Sequence, residues 1–313
     1  MNLESKIYIA GHSGLVGSAI VRALKAQGYR NLIFRSSQEL DLRDKDQVVR
    51  FFHENKIDFV FLAAAKVGGI VANNDYPADF IRENLQIQTN VIDTAYQYGV
   101  KKLLFLGSTC IYPKFAPQPL REDYLLTGEL EETNEAYAIA KIAGIKMCQA
   151  YNRQYGTKYI SVMPTNLYGP GDNFDLETSH VLPALLRKIH EAKQNHLGTV
   201  EIWGSGSPRR EFLHSNDLAD ACLYLMNHYD GDDIVNIGTG EDISIYELAN
   251  HLKSIIGFEG EFVFNTSRPD GTPRKWVDVS KLKAMGWASQ ISLVDGLKAT
   301  YEWYTKQEKI LSN

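Results

Sequence analysis

Apolar residues gather in short, dense runs separated by longer stretches of helical character. Lys6–Ala10, Asn31–Arg35, Phe59–Ala65, Lys101–Gly107, Tyr159–Met163 and Asp232–Gly238 read as strands. Ser18–Gln27, Phe80–Tyr98 and Tyr137–Tyr155 read as helices, the first stopped by Gly28. Strands alternating with helices predict an α/β fold, a doubly wound parallel (Rossmann) sheet covered by helices on both faces. Ligands of such sheets bind beyond the carboxyl ends of the strands. After Tyr168-Gly-Pro-Gly-Asp-Asn173 the alternation stops and shorter pieces follow. A smaller substrate domain is expected there, made discontinuous because the strand near Val235 returns to the large sheet. The expected boundaries are 1–168 plus about 213–239 for the dinucleotide-binding domain, and about 169–212 plus 240–313 for the substrate domain. A cleft between the two would hold the substrate.

The first strand runs into Gly11-His12-Ser13-Gly14-Leu15-Val16-Gly17 and then a helix, the entry of a dinucleotide-binding unit. Gly11 permits the tight turn, Gly14 the close approach to a pyrophosphate, and Gly17 the packing of the helix. The helix N-terminus offers free N–H groups and a favourable dipole to the phosphates. Arg35 ends the second strand where an NAD enzyme usually carries an acidic residue, so it can pair with a 2′-phosphate and favours NADP(H).

Tyr137 and Lys141 are four residues apart and share one helix face. A free tyrosine has a pKa of about 10. An ammonium beside it is expected to lower that value and help the phenol protonate a developing alkoxide. Ser108, just after the Lys101–Gly107 strand, supplies a second hydrogen bond to the same oxygen. Cys110 lies two residues further on, in the loop at the active edge. Cys148 and Cys222 sit among apolar helical residues and read as small buried hydrophobes. His180 has no helical partner at metal-ligand spacing, so no metal is expected. The side chains of His12, His53, His190, His196, His228 and His251 read as solvated or packing groups.

A chain of 313 residues, 44% hydrophobic and 23% charged, can bury one large core or two modest ones. The net charge of −5 gives no broad basic field, so nucleic acid is not an expected partner. No apolar run reaches the roughly 20 residues that span a bilayer, so no membrane partner is expected. Met1–Lys6 lacks a signal-peptide pattern and three cysteines make no disulfide framework. The cytoplasm is the expected compartment.

The Gly-x-x-Gly-x-x-Gly spacing resembles the extended branch of the short-chain dehydrogenase/reductase superfamily, which acts on nucleotide sugars. Longer strings narrow the resemblance. Ser108–Pro113, Tyr137–Lys141, Pro164–Pro170, Asp172–Phe174, His180–Leu185, Trp203–Gly206, Arg210–His214 and Pro269–Lys275 are similar to the GDP-L-fucose synthase family. They stand in unchanged order from near residue 6 to about residue 290. The resemblance implies 3,5-epimerisation and NADPH-dependent 4-reduction of GDP-4-keto-6-deoxy-D-mannose. It makes Cys110 and His180 the acid–base pair at C3 and C5, and Ser108 and Tyr137 the grip on O4. Lys141 would also bond the nicotinamide ribose. Asp41-Leu42 would touch the adenine, Pro164, Thr165, Asn166 and Leu167 would line the nicotinamide, and His180 would adjoin the cofactor. Lys188, Trp203, Arg210 and Asp270 are the candidate contacts to the GDP-sugar, with Arg210 gripping the diphosphate. Trp203 could equally be a core aromatic and Asp270 a plain turn residue. The helices Phe80–Tyr98 and Tyr137–Tyr155 would pair two subunits into a homodimer.

One departure from the family pattern is Ser13, where a basic residue is expected to help hold the 2′-phosphate. More of that task falls to Arg35. A related 4-reductase or 4-epimerase on the same fold is a competing reading. A dehydratase would want acidic residues where Thr109 and Cys110 stand. A non-catalytic dinucleotide sensor could dispense with the Tyr or Lys, whereas Ser108, Tyr137 and Lys141 are all present.

Overall fold

The computed structural model describes residues 1–176, 178–267 and 270–311. Four buried residues, Ile7–Ala10, form β1, and the main sheet grows outward from it. Leu32–Ile33 (β2) pairs on one side and Phe59–Leu62 (β3) on the other. Lys102–Leu106 (β4), Tyr159–Pro164 (β5) and, from late in the chain, Val235–Ile237 complete a six-stranded sheet in which every pairing is parallel. From β1 the chain builds outward in both directions, so the crevice at the carboxyl ends of β1 and β3 is the place for a dinucleotide. The expected strand Asn31–Arg35 shrinks to two residues because it is an edge strand with a single partner. The run Phe59–Ala65 leaves the ladder after Leu62, where Ala63 N–H turns to the Ala10 carbonyl at 3.1 Å.

Helices cover both faces. Leu15–Ala26 (α1) lies on one face and packs against Ser215–His228. Lys45–Asn55 (α2), Ile70–Asp75 (α3), Pro77–Gln97 (α4) and Glu135–Tyr155 (α5) follow, with α2, α4 and α5 on the other face. The turn before α1 leaves no room for side chains. Gly11 has φ +83°, and a Cβ on Gly17 would fall 2.0 Å from the Gly11 carbonyl oxygen.

Beyond β5 the chain adds Asn166–Tyr168 (β6), Val181–Gln194 (α6), Thr199–Trp203 (β7), Arg209–Arg210 (β8) and Phe212–His214 (β9). Ser215–His228 is α7 and Val235–Ile237 is β10. Ile243–Ser244 (β11), Ile245–Ile256 (α8), Glu261–Asn265 (β12), Arg274–Lys275 (β13), Ser280–Ala284 (α9) and Leu293–Leu311 (α10) finish it. Residues of α6, α8, α10 and β7 share a third apolar core, separate from the two that sandwich the large sheet. Leu282 of α9 and Trp287 pack with the α1 and α7 core instead. The three-stranded sheet β11-β8-β13 and the parallel pair β6–β9 lie where the chain passes between these cores. Among the described residues no helix is long and apolar enough to cross a membrane, and no His, Cys, Asp or Glu group could hold a metal ion.

The seat of α5 on β4 is tight. A Cβ on Gly144 would lie 2.4 Å from the Phe105 ring and 2.9 Å from Gln88 Oε1. Gly144→Ala must therefore lift the helix off the sheet, with an expected cost of about 1–3 kcal/mol. Thermal unfolding checks this: a midpoint equal to that of the unmodified protein would show that α5 tolerates the extra methyl.

Candidate active site

β4 ends at Leu106, and Gly107 and Ser108 lead into a single tight helical turn, Thr109–Ile111. Ser108 caps that turn, its Oγ accepting from the Cys110 N–H at 3.4 Å. Cys110 is thereby buried just beyond the strand end. Across from it runs α5, tied to α4 by Gln88 Nε2 donating to the Ala140 carbonyl at 2.6 Å. Lys141 is 3% exposed, and its Nζ donates to the Leu106 carbonyl at 2.7 Å. The same Nζ lies 5.0 Å from the Phe105 ring centroid and 5.6 Å from that of Tyr137. Tyr137 in turn hydrogen-bonds Ser108. The strand end thus brings Ser108, Cys110, Tyr137 and Lys141 together.

The electrostatics correct one expectation. Burial pushes the Tyr137 phenol well above its ordinary pKa, the neighbouring Cys110 adds to this, and the Ser108 bond offsets only part. Lys141 does not bring it down in this arrangement. Its own ammonium is desolvated, with a pKa lowered to about 8, and is committed to the Leu106 carbonyl. Tyr137 is firmly a phenol, the form that can give up a proton. Burial also pushes the Cys110 thiol up, opposed first by the Lys275 ammonium and then by Ser108 and Lys141. Cys148 and Cys222 are buried, as the sequence suggested.

His180 is the N-terminal cap of α6, the helix that follows β6 in the chain. Desolvation, then the Lys275 ammonium, lower its pKa. Lys275 is the residue that sequence reasoning passed over. It closes the Pro269–Lys275 string, whose first residue lies outside the described ones. Register places it directly opposite Arg210 across the β8–β13 pair. Since β13 has only two residues, no periodicity could have singled Lys275 out; its place in the string was the available signal.

Of the four candidate substrate contacts, Lys188 and Trp203 stand on α6 and β7 of the third core, Arg210 on β8 and Asp270 in the loop before β13. Trp203 is 54% exposed and so is no core aromatic; the Lys188 ammonium lies 4.7 Å from its ring centroid. Asp270 braces the turn after Trp203, accepting from Ser205 N–H at 2.9 Å and Ser205 Oγ at 2.6 Å. Burial lowers the pKa of Arg210, the Asp270 charge offsets part of this, and the guanidinium is anchored on the Thr272 carbonyl at 2.6 Å.

Of the residues offered for a dinucleotide, Gly11, His12, Ser13 and Gly14 make the turn into α1. Gly14 caps α1 with no side chain in the way. The His12 ring stacks on Phe34 with centroids 4.6 Å apart, and its Nδ1 is buried without a partner. Ser13 is exposed, as is Arg35, whose guanidinium lies 5.7 Å from the Phe51 ring centroid and donates to the Phe34 carbonyl at 2.9 Å. Asp41 is engaged by Arg43 at 2.9 Å, and Leu42 is buried in the core beside α2 and α4. Pro164 ends β5. Thr165 N–H donates to the Ile237 carbonyl at 3.0 Å and Asn166 Nδ2 to the Glu211 carbonyl at 2.8 Å, with Leu167 partly buried beyond.

Comparison with known proteins agrees with this geometry. The NAD dependent epimerase/dehydratase family matches residues 7–238. GDP-L-fucose synthase 1 of Arabidopsis thaliana is 62% identical over 97% of this chain and 94% of its own. The NADP-bound structure of MlghC, a GDP-mannoheptose C4 reductase from Campylobacter jejuni, superposes with a TM-score of 0.91 at 47% identity, covering 97% of this chain and 99% of that one. A GDP-L-fucose synthetase from Naegleria fowleri bound to NADP gives 0.92 at 30% identity, covering 99% and 96%. The chain belongs to the NAD dependent epimerase/dehydratase family, within its GDP-L-fucose synthase group.

Proposed function

We propose that this chain converts GDP-4-keto-6-deoxy-D-mannose to GDP-L-fucose by inverting C3 and C5 and then reducing C4 with NADPH. One observation carries the reading: a phenol–serine grip for a carbonyl oxygen shares its corner with a thiol, and one lysine faces both that thiol and an imidazole. A simple reductase has no use for the second set. The similarity to curated GDP-L-fucose synthases supports it.

The residues fit a bound dinucleotide. Gly11 and Gly17 leave the main chain bare at the α1 N-terminus, where pyrophosphate finds N–H donors. Lys141 and the Pro164–Leu167 strip would lie along the nicotinamide riboside, and Arg35 with Ser13 at the 2′-phosphate. When bound, the cofactor supplies the hydride for C4. Trp203, Lys188, Arg210, Lys275 and Asp270 would hold the GDP part, the third-core elements (about 169–212 and 240–313) acting as the substrate domain.

The sugar's 4-ketone acidifies the hydrogens on C3 and C5. Ser108 and Tyr137 would hold O4 and stabilise the enolate left when either proton is removed. Cys110 and His180 supply the sites that take a proton from one face and return one to the other. With both centres inverted, Tyr137 gives its proton to O4 as C4 is reduced, and Lys141 stabilises the phenolate that remains. A second reading, a GDP-sugar 4-reductase without inversion, is favoured by the likeness to the C4 reductase.

The two readings separate on product identity. With NADPH and the keto sugar, the unmodified protein should release GDP-L-fucose. Cys110→Ser should slow its formation by about 100-fold or more, in line with general acid–base contributions, and shift the product toward unepimerised reduced sugar. Release of only the unepimerised product by the unmodified protein would leave the 4-reductase reading.

Arg35→Ala should raise the Kd for NADPH about tenfold, the range of a charged hydrogen bond to phosphate, with little effect on NADH. Equal loss with both cofactors in a fluorescence titration would remove Arg35 from the 2′-phosphate site.

The outward face of α4 and α5 carries exposed Tyr96, Ile139 and Tyr155. Tyr96 and Tyr155 stack at 4.2 Å, a rigid apolar surface suited to a two-fold partner. Sedimentation velocity should show a homodimer; a monomer at micromolar concentration would refute it.

A further inference from the structure

Glu211 takes no part in the chemistry above, yet three other segments of the chain meet on it. It is 0% exposed. Its Oε1 accepts the N–H groups of Thr239 at 2.6 Å and Gly240 at 2.7 Å, and the Thr239 hydroxyl at 3.3 Å. Its Oε2 accepts the Val277 N–H at 2.8 Å. A Cβ on Gly238 would fall 2.3 Å from Oε1, so the loop after β10 is shaped around the carboxylate. The main chain of the same residue is equally occupied. Its carbonyl accepts Asn166 Nδ2 at 2.8 Å and Thr165 Oγ1 at 3.4 Å, and its N–H donates to the Lys275 carbonyl at 3.3 Å.

Glu211 is also the residue between β8 and β9, where the chain leaves the three-stranded sheet carrying Arg210 and Lys275 and joins β6. A buried carboxylate is costly unless its oxygens are satisfied, and here main-chain donors from two separate loops satisfy it. Those donors can lie in only one arrangement around a planar group that accepts from both sides. The side chain therefore fixes the loop after β10 and the exit of β13, while the main chain fixes the Thr165–Asn166 strip and the Lys275 carbonyl.

We propose that Glu211 is a positioning residue that sets the register between Arg210 and Lys275, the grip on the diphosphate, and the Thr165–Asn166 strip along which the nicotinamide lies. The proposal rests on the reading given under Proposed function. Fully buried, Glu211 would itself touch neither ligand. The two half-sites would each survive its loss, but the sugar ring, bridging them, would no longer meet the hydride and Tyr137 together.

Glu211→Gln tests this, because an amide NH2 then faces N–H donors. GDP alone probes the grip by calorimetry, NADPH alone probes the cofactor side by fluorescence, and turnover of the keto sugar probes their register. Both Kd values should stay within about threefold of the unmodified protein while kcat falls about 100-fold, the scale of an ångström misplacement at a reacting centre. Unchanged kcat would overturn the proposal, as would a fall matched by an equal loss of GDP affinity, which would make Glu211 a mere support of Arg210. Glu211→Asp keeps the charge but cannot span both loops, and should lie between the two proteins in kcat with both Kd values retained. If neither variant folds, Glu211 serves stability alone and the proposal fails. An unmodified protein that binds GDP and NADPH yet never turns over the sugar would instead sink the underlying reading.

Discussion

The hydrogen bond from Lys141 to the Leu106 carbonyl joins the helix that carries the phenol to the strand end that carries the serine and the thiol. Everything chemical in the molecule depends on that junction. A carbonyl at the end of a parallel strand has no further ladder partner, and a buried ammonium needs an acceptor. Each solves the other's problem. The close seat of Gly144 against Phe105 lets the helix come near enough for the bond to form. The result is a tight corner in which the four candidate side chains Ser108, Cys110, Tyr137 and Lys141 come from two adjacent elements.

Desolvation then does what sequence spacing alone could not foretell. Four residues between Tyr137 and Lys141 suggested a cation that lowers a phenol's pKa. Enclosed together, each group is instead shifted toward its neutral form: Tyr137 stands as a proton donor, while Lys141, drawn down to about 8, is still an ammonium at neutral pH with a weakened hold on its proton. Charge developing on a substrate oxygen or on the phenolate would reverse that balance, because a new anion beside Lys141 restores the advantage of its ammonium. The site is therefore arranged for charge that appears during reaction rather than for charge at rest.

The parts legible in the sequence were those encoded by contiguous strings. The glycine turn, the strand before Ser108 and the Tyr137–Lys141 helix each declare themselves within a dozen residues, and the sheet assembled from them is parallel throughout. Residues whose position depends on pairing between distant short strands were not legible. Lys275 faces Arg210 only because β13 lies beside β8, and Glu211 is buried only because loops from three parts of the chain close over it. Neither a two-residue strand nor a bend residue carries a periodic signal. Trp203 illustrates the same limit from the other side. The sequence left a core position and a place at the nucleotide equally open, and alternation along β7 turns it outward, where the Lys188 ammonium lies over the ring.

Housing epimerisation and reduction at one oxygen has an energetic logic. Proton removal at C3, proton removal at C5 and hydride addition at C4 all place negative charge on O4. A single pair of donors can stabilise all three, and losing one such donor typically costs about 10²–10³ in rate. On the proposed reading, what distinguishes the steps is the group that exchanges a proton or hydride with carbon, and those groups would come from different directions: the thiol from the strand end, the imidazole from the α6 N-terminus, and the cofactor from the β1–β3 crevice. The sugar must hold one orientation while each acts in turn. That demand would fall on the grip at its far end, with the indole and Lys188 supplied by the third core, Arg210 and Lys275 by the β11-β8-β13 sheet, and the O4 donors by the end of β4 and by α5. A fold that kept both sets on one element could not bring groups to opposite faces of the ring.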